Sequence, residues 1–139
     1  MKIIYTAHAE VTGGRDGHAR SSDGALDVEL GRPKEFGGGA KPGTNPEQLF
    51  AAGYAACFES AVRFVAGQRK VKIDQSSVKA AVGVGPREQG GFGLQVALDV
   101  SLPGVERSVA EDLVKTAHEQ ICPYSNATRG NIDVKVSVV

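Results

Sequence analysis

Leu94, Val96, Leu98, Val100 and Leu102 alternate strictly with other residues, so their side chains share one face of an extended segment. Val78, Ala80, Val82 and Val84 repeat the pattern upstream, and the turn-rich GPREQGGFG between the two runs predicts a hairpin. Ile132, Val134, Val136 and Val138 alternate at the C-terminal end as a further strand, and Leu26, Val28 and Leu30 do so near the N-terminus. Residues 2–11 are rich in strand formers (Ile3, Ile4, Tyr5, Thr6, Val11) and run into the turn signal TGGRDG at 12–17. A Gly/Pro-rich loop, Gly31 to Gly43, follows the second strand as a connector or as a rim over a site.

Two stretches read as helices. Thr44-Asn45-Pro46-Glu47 is a helix start, with Asn45 suited to the N-cap, Pro46 to the first helical position and Glu47 to the positive dipole end. From Leu49 to Val65 the only charges are Glu59 and Arg63, spaced to pair on one face. A helix this apolar all round has to be mostly buried, and one small domain can hardly surround it, so a second subunit is expected to help. Gly67, Arg69 and Lys70 mark its end. Ser108 with Glu111 predicts a capping box for the second helix, whose inner stripe is Leu113, Val114, Ala117 and Ile121. Pro123 is expected to end it. Hairpin-like strand spacing with two helices predicts an α+β fold with antiparallel sheets, as one domain over 1–139.

Sixteen basic residues balance sixteen acidic ones, and no Lys/Arg cluster supplies the footprint that nucleic acid demands. No uncharged apolar run approaches the roughly 20 residues of a membrane span, and the N-terminal apolar stretch is short for a secretion signal, so no membrane partner is expected and a cytoplasmic location is. In that compartment Cys57 and Cys122, 65 residues apart, are either buried inert thiols or a redox pair, and a permanent disulfide is not the default. Cys57 lies about three turns into its helix, where the dipole gives little help, so as a nucleophile it needs a cation from elsewhere. Cys122 is expected at the negative end of the second helix, which disfavours its thiolate. Cys57 is therefore the better attacker and Cys122, freed by Pro123, the better mobile partner. Arg15, in a glycine-rich turn, is a candidate cation or simply a solvated arginine. Glu47 is a favourable first-turn acid or an arginine holder. Ten residues separate Glu47 from Cys57, roughly 15 Å along a helix, so a shared arginine or a second subunit would have to connect them.

Other templates fail. GGGAKPGT lacks phosphate-loop spacing, and GxGxxG, CxxC and GxSxG are absent. His8, His18 and His118 lack metal-ligand spacing and are expected at the surface or in packing; no metal or cofactor is expected.

TNPEQLFAAGYAACF (44–58) and ICPYSNATRGNIDV (121–134), with TGGRDG (12–17) and GGFGL (90–94), resemble the organic hydroperoxide resistance (Ohr) branch of the Ohr/OsmC family over essentially the whole chain. The resemblance implies two antiparallel sheets wrapped around two central helices in an intertwined homodimer. It implies a thiol peroxidase in which Cys57 is peroxidatic, Cys122 resolving, Arg15 the activator of Cys57 and Glu47 the holder of Arg15. The implied substrates are organic hydroperoxides, including those of fatty acids, and the implied reductant is dihydrolipoamide or a lipoylated protein. Phe36, Phe50, Phe92 and Tyr124 are the expected walls of an apolar substrate pocket. An OsmC-type peroxidase with another peroxide preference and a non-catalytic redox sensor are the competing readings.

Overall fold

In the computed structural model, which describes residues 1–39 and 41–139, the chain divides into two compact units, Met1–Leu49 and Phe50–Val139. The first holds strands β1 (Ala9–Thr12), β2 (His18–Ser21) and β3 (Asp27–Glu29) in one antiparallel sheet of that order. The expected strand over 2–11 shrinks to its last residues. A strand former becomes a strand only against a partner ladder, and the register of β1 with β2 begins at Ala9. Ile3, Ile4 and Tyr5 are left exposed.

The β1–β2 turn is a single 3₁₀ turn, Gly14–Asp16, entered through Gly13 in the left-handed region. Gly17 closes it. A Cβ there would stand 1.6 Å from the Thr12 carbonyl oxygen, so only glycine fits. Asp16 pins the turn from outside: its carboxylate accepts from the Arg32 guanidinium at 2.6 Å, and its carbonyl accepts from Lys41 Nζ at 2.5 Å. The loop after β3 is closed at its base, where Gly31 N–H donates to the Thr44 carbonyl and Thr44 N–H to the Glu29 carbonyl, each at 2.9 Å. It carries a 3₁₀ turn at Lys34–Phe36, and Ala40 lies outside the described residues.

Helix α1 (Pro46–Gln68) begins in this unit and runs on into the second. Its start is as expected: Asn45 Oδ1 accepts the Gln48 N–H at 2.9 Å. Its length and apolarity equal those of a membrane span. However, Tyr54, Phe58, Ala61, Val62, Val65 and Ala66 are buried in the protein's own core. Burial is one-sided: Ala52, Ala56, Ser60 and Phe64 are exposed on the other face.

In the second unit β4 (Ser77–Pro86), β5 (Phe92–Ser101) and β6 (Asp133–Val138) form a sheet in that order. The hairpin appears in the expected register, with Val82 opposite Val96 and Ala80 opposite Leu98. Val96, Leu98 and Val100 of β5 are buried against the α1 face together with Leu113, Val114 and Ala117. One pairing corrects the all-antiparallel expectation: β6 runs parallel to β5. The helical segments lie between these strands, and a crossover of that length returns the chain in the same direction.

The intervening segment departs from the pattern in two further ways. Helix α2 (Arg107–Thr116) is capped not by Ser108 but by Glu106, whose carboxylate accepts from the Ser108 and Val109 N–H groups. Glu111, assigned to the capping box, instead accepts from Arg107 at 2.7 Å. Nor does Pro123 simply end the helix. A π-helical turn over Ala117–Ile121 follows α2, Cys122 leaves helical geometry, and Pro123 opens a new helix, α3 (Pro123–Thr128). Its missing N–H costs nothing at a first helical position.

Leu98, fully buried on the central strand, tests this core. Leu98→Ala should lower the unfolding free energy by about 2–5 kcal/mol in urea titrations. A loss below that range would mean that the β5 face is not the centre of packing.

Candidate active site

The two cysteines meet. Cys57 sits half-buried on α1 and Cys122 is buried at the joint between the π-helical turn and α3. Their sulfurs are 3.6 Å apart, in van der Waals contact as free thiols. A disulfide needs about 2.05 Å, so closure asks for a shift on the order of 1.5 Å.

The position of Cys122 corrects the expectation that it sits only at a negative helix end. It is the N-cap of α3: with φ −67° and ψ 117° it turns its sulfur to accept the Ser125 N–H at 3.5 Å. The neighbouring Tyr124 N–H favours the Cys57 thiolate. The first turn of α3 thus serves both sulfurs. For Cys57 burial outweighs that help: desolvation pushes its thiol up from the ordinary value, with the Tyr124 N–H opposing and the adjacent Cys122 adding to the rise.

Arg15 and Glu47 also meet, within the first unit. The guanidinium donates through both terminal nitrogens to both carboxylate oxygens, at 2.7 and 2.6 Å. This fork geometry is the strongest form of the pair. It raises the Arg15 pKa, and the same hydrogen bonds hold the Glu47 carboxyl below the usual carboxylate range despite partial burial. The arginine lies over the Phe36 ring, 5.0 Å from its centroid. Phe36, expected as a pocket wall, here forms a platform for the guanidinium.

The other expected wall residues divide. Phe50 and Tyr124 pack with ring centroids 6.2 Å apart and line one cavity of about 410 Å³ with Leu94, Ala127, Thr128, Asn131 and Ile132. Phe92 is largely exposed and borders an adjoining hollow with Arg87 and Asp133, which shares Leu94, Asn131 and Ile132 with the first. Gly53 lets Tyr124 lie on α1, because a Cβ there would come within 3.1 Å of the tyrosine hydroxyl.

Sequence reasoning missed a buried polar network beside the thiols. Tyr54 Oη lies 3.0 Å from both Ser125 Oγ and Thr128 Oγ1, and Ser125 Oγ lies 2.9 Å from His118 Nδ1. His118 is more than the packing residue expected of it, although its ring does lie against Phe58. Burial holds its pKa below the ordinary value, so the imidazole stays neutral near pH 7. A buried hydroxyl left unpaired costs about 1–3 kcal/mol, so these bonds constrain one another. The available signal was Ser125 at the third position after Cys122, the spacing of an N-cap to its N–H donor. Among the described residues no group of three or more His, Cys, Asp or Glu is arranged to hold a metal ion.

Two free thiols in contact at a helix joint, on an α+β fold with a long central helix, are the features of a small thiol redox protein. The chain belongs to the Ohr/OsmC family: the OsmC-like protein family model matches residues 37–137. Within it the similarity is to the Ohr branch. The chain is 54% identical over 138 residues to the organic hydroperoxide resistance protein of Xanthomonas axonopodis pv. citri (strain 306), covering 99% of this chain and 96% of that protein. It is 46% identical over 136 residues to organic hydroperoxide resistance protein OhrB of Bacillus subtilis (strain 168), covering 97% and 98%. The crystal structure of an organic hydroperoxide resistance protein from Elizabethkingia anophelis superposes with a TM-score of 0.93 at 52% identity, covering 99% of this chain and 98% of that one.

The Arg15–Glu47 pair makes a pH prediction. Because the folded Glu47 pKa lies below its unfolded value, the pair's contribution is complete above the unfolded glutamate range and is lost as pH falls through the folded value. With the guanidinium about a third exposed, that contribution is on the order of 1 kcal/mol at most. Urea midpoints from pH 7 down to about 3 should fall less steeply in Glu47→Gln than in the wild type; parallel curves would show the pair to be energetically silent.

Proposed function

We propose that the protein is a thiol peroxidase that reduces organic hydroperoxides to alcohols. The contact between the Cys57 and Cys122 sulfurs, at 3.6 Å, carries this reading. The Cys57 thiolate attacks the distal oxygen of ROOH; the O–O bond breaks, the alkoxide leaves and takes a proton, and Cys57 becomes a sulfenic acid. The Cys122 thiol then attacks that sulfur. The S–S bond forms, the S–O bond breaks, and hydroxide leaves with the Cys122 proton as water. A dithiol reductant, dihydrolipoamide or a lipoylated protein, returns both cysteines to thiols by exchange through a mixed disulfide.

Arg15 is assigned to offset the burial of Cys57. Its fork to Glu47 uses only part of the guanidinium's five N–H donors, leaving others for the thiolate or the peroxide oxygens. Glu47 orders the side chain in advance, so reaction requires less reorganisation. The substrate preference rests on the apolar cavity beside Phe50 and Tyr124. Each alkyl CH₂ buried contributes about 0.8 kcal/mol, which bulky peroxides gain and hydrogen peroxide does not. A cytoplasmic homodimer is the proposed form: the exposed Ile3, Ile4 and Tyr5 and the exposed Ala52–Ala56–Ser60–Phe64 face of α1 are what a second copy would cover.

With dihydrolipoamide in excess, steady-state reduction of cumene hydroperoxide should outpace that of hydrogen peroxide. Preference for hydrogen peroxide would favour an OsmC-type activity, and consumption that halts after one equivalent would indicate a one-shot sensor.

Substitutions separate the roles. Cys57→Ser should abolish turnover, whereas Cys122→Ser should still form a sulfenic acid trappable by dimedone but recycle poorly. Equal residual activity in both would overturn the assignment. Arg15→Ala should move the pH midpoint of Cys57 alkylation upward, and an unmoved midpoint would make Arg15 a bystander.

A further inference from the structure

Closing the gap between two thiols takes a movement of only an ångström or two, so whatever fixes the backbone around Cys122 also governs how often the sulfurs align. Cys122 is buried, and its N–H donates to the Ala117 carbonyl at 2.8 Å while its carbonyl accepts the Asn126 N–H at 3.0 Å. It lies outside helical geometry, and its sulfur is oriented by a backbone donor, the Ser125 N–H. The Ser125 side chain is therefore the next link. It is fully buried, and its Oγ is held from two directions: by Tyr54 Oη at 3.0 Å and by His118 Nδ1 at 2.9 Å. Tyr54 lies on α1 one turn before Cys57, and His118 lies in the π-helical turn that delivers Cys122. One serine hydroxyl thus ties the helix bearing one sulfur to both segments that flank the other. π-Helical turns are uncommon and recur at functional sites.

We propose that Ser125 is a positioning residue that, through its bonds to Tyr54 and His118, holds Cys122 in line with Cys57 for disulfide closure. It touches neither the peroxide nor the reacting oxygen; it acts through the placement of α3. Its use in peroxide turnover rests on the peroxidase reading above, but the positioning itself does not.

Closure can be driven without any peroxide. The Cys57 thiolate adds across the N=N bond of diamide, which takes up a proton; the Cys122 thiol then attacks the Cys57 sulfur, the S–N bond breaks and the hydrazine leaves with the second proton, so at saturating diamide the first-order second step reads alignment. A small misplacement of reacting atoms costs up to about a hundredfold, and Ser125→Ala and His118→Leu should each slow diamide closure roughly ten- to hundredfold. His118→Asn keeps a polar atom near the Nδ1 position and should restore most of the rate, while Tyr54→Phe should fall between. With one equivalent of cumene hydroperoxide, Ser125→Ala and His118→Leu should accumulate the dimedone-trappable Cys57 sulfenic acid, because closure slows more than its formation.

If Ser125→Ala does not fold, as judged by near-UV circular dichroism, the histidine and tyrosine variants carry the comparison. Wild-type closure rates in folded variants would overturn the proposal. So would equal slowing in His118→Asn and His118→Leu, which would show loss of packing rather than of a bond. If peroxide fails to close the wild-type pair while diamide closes it and the variants slow it, the positioning role stands and the peroxidase reading falls.

Discussion

The sulfur–sulfur contact depends on how the chain turns at Cys122, and that turn is where the local rules are bent furthest. A helix that continued regularly past Thr116 would carry Cys122 round with it, and a helix that merely stopped at proline would leave it in a loop. Instead the π-helical turn shifts the register, Cys122 steps out of helical geometry, and Pro123 restarts a helix immediately. The residue at the break becomes an N-cap. Its sulfur faces N–H groups instead of carbonyls, while the α1 helix brings Cys57 against it.

Burial of this pair has two opposite consequences. It fixes the separation of the sulfurs, because packed side chains have few alternatives. It also raises the Cys57 pKa, because a thiolate loses solvation. The first consequence favours a second sulfur as reaction partner, and the second creates a demand for positive charge. The Arg15–Glu47 fork is ordered by itself: a guanidinium held bidentate and laid on Phe36 has lost most of its rotamer freedom. Its turn owes its shape to backbone constraints, above all the glycine at 17, and owes its rigidity to Asp16.

Much of this was legible in the residues. The alternation in 94–102 and 132–138 located β5 and β6, and Asn45-Pro46 located the start of α1, because these signals act over a few residues. The family signature around Cys57 and Cys122 singled out the residues that the fold brings together in pairs. The misreadings share a physical origin. Strand propensity in residues 2–8 says nothing about whether a partner ladder exists. A Ser-x-x-Glu pattern looks like a capping box until a neighbouring Glu106 takes the same N–H groups.

Local alternation and capping chemistry were enough to specify an α+β chain with a long apolar helix, two strand groups and two notable thiols, since each signal is read by neighbours in sequence. The direction of β6 against β5, the N-cap role of Cys122 and the bonds joining Tyr54, Ser125 and His118 came from packing. These link residues as far as 71 positions apart, and such partners are chosen by which buried groups must satisfy one another once the core has closed.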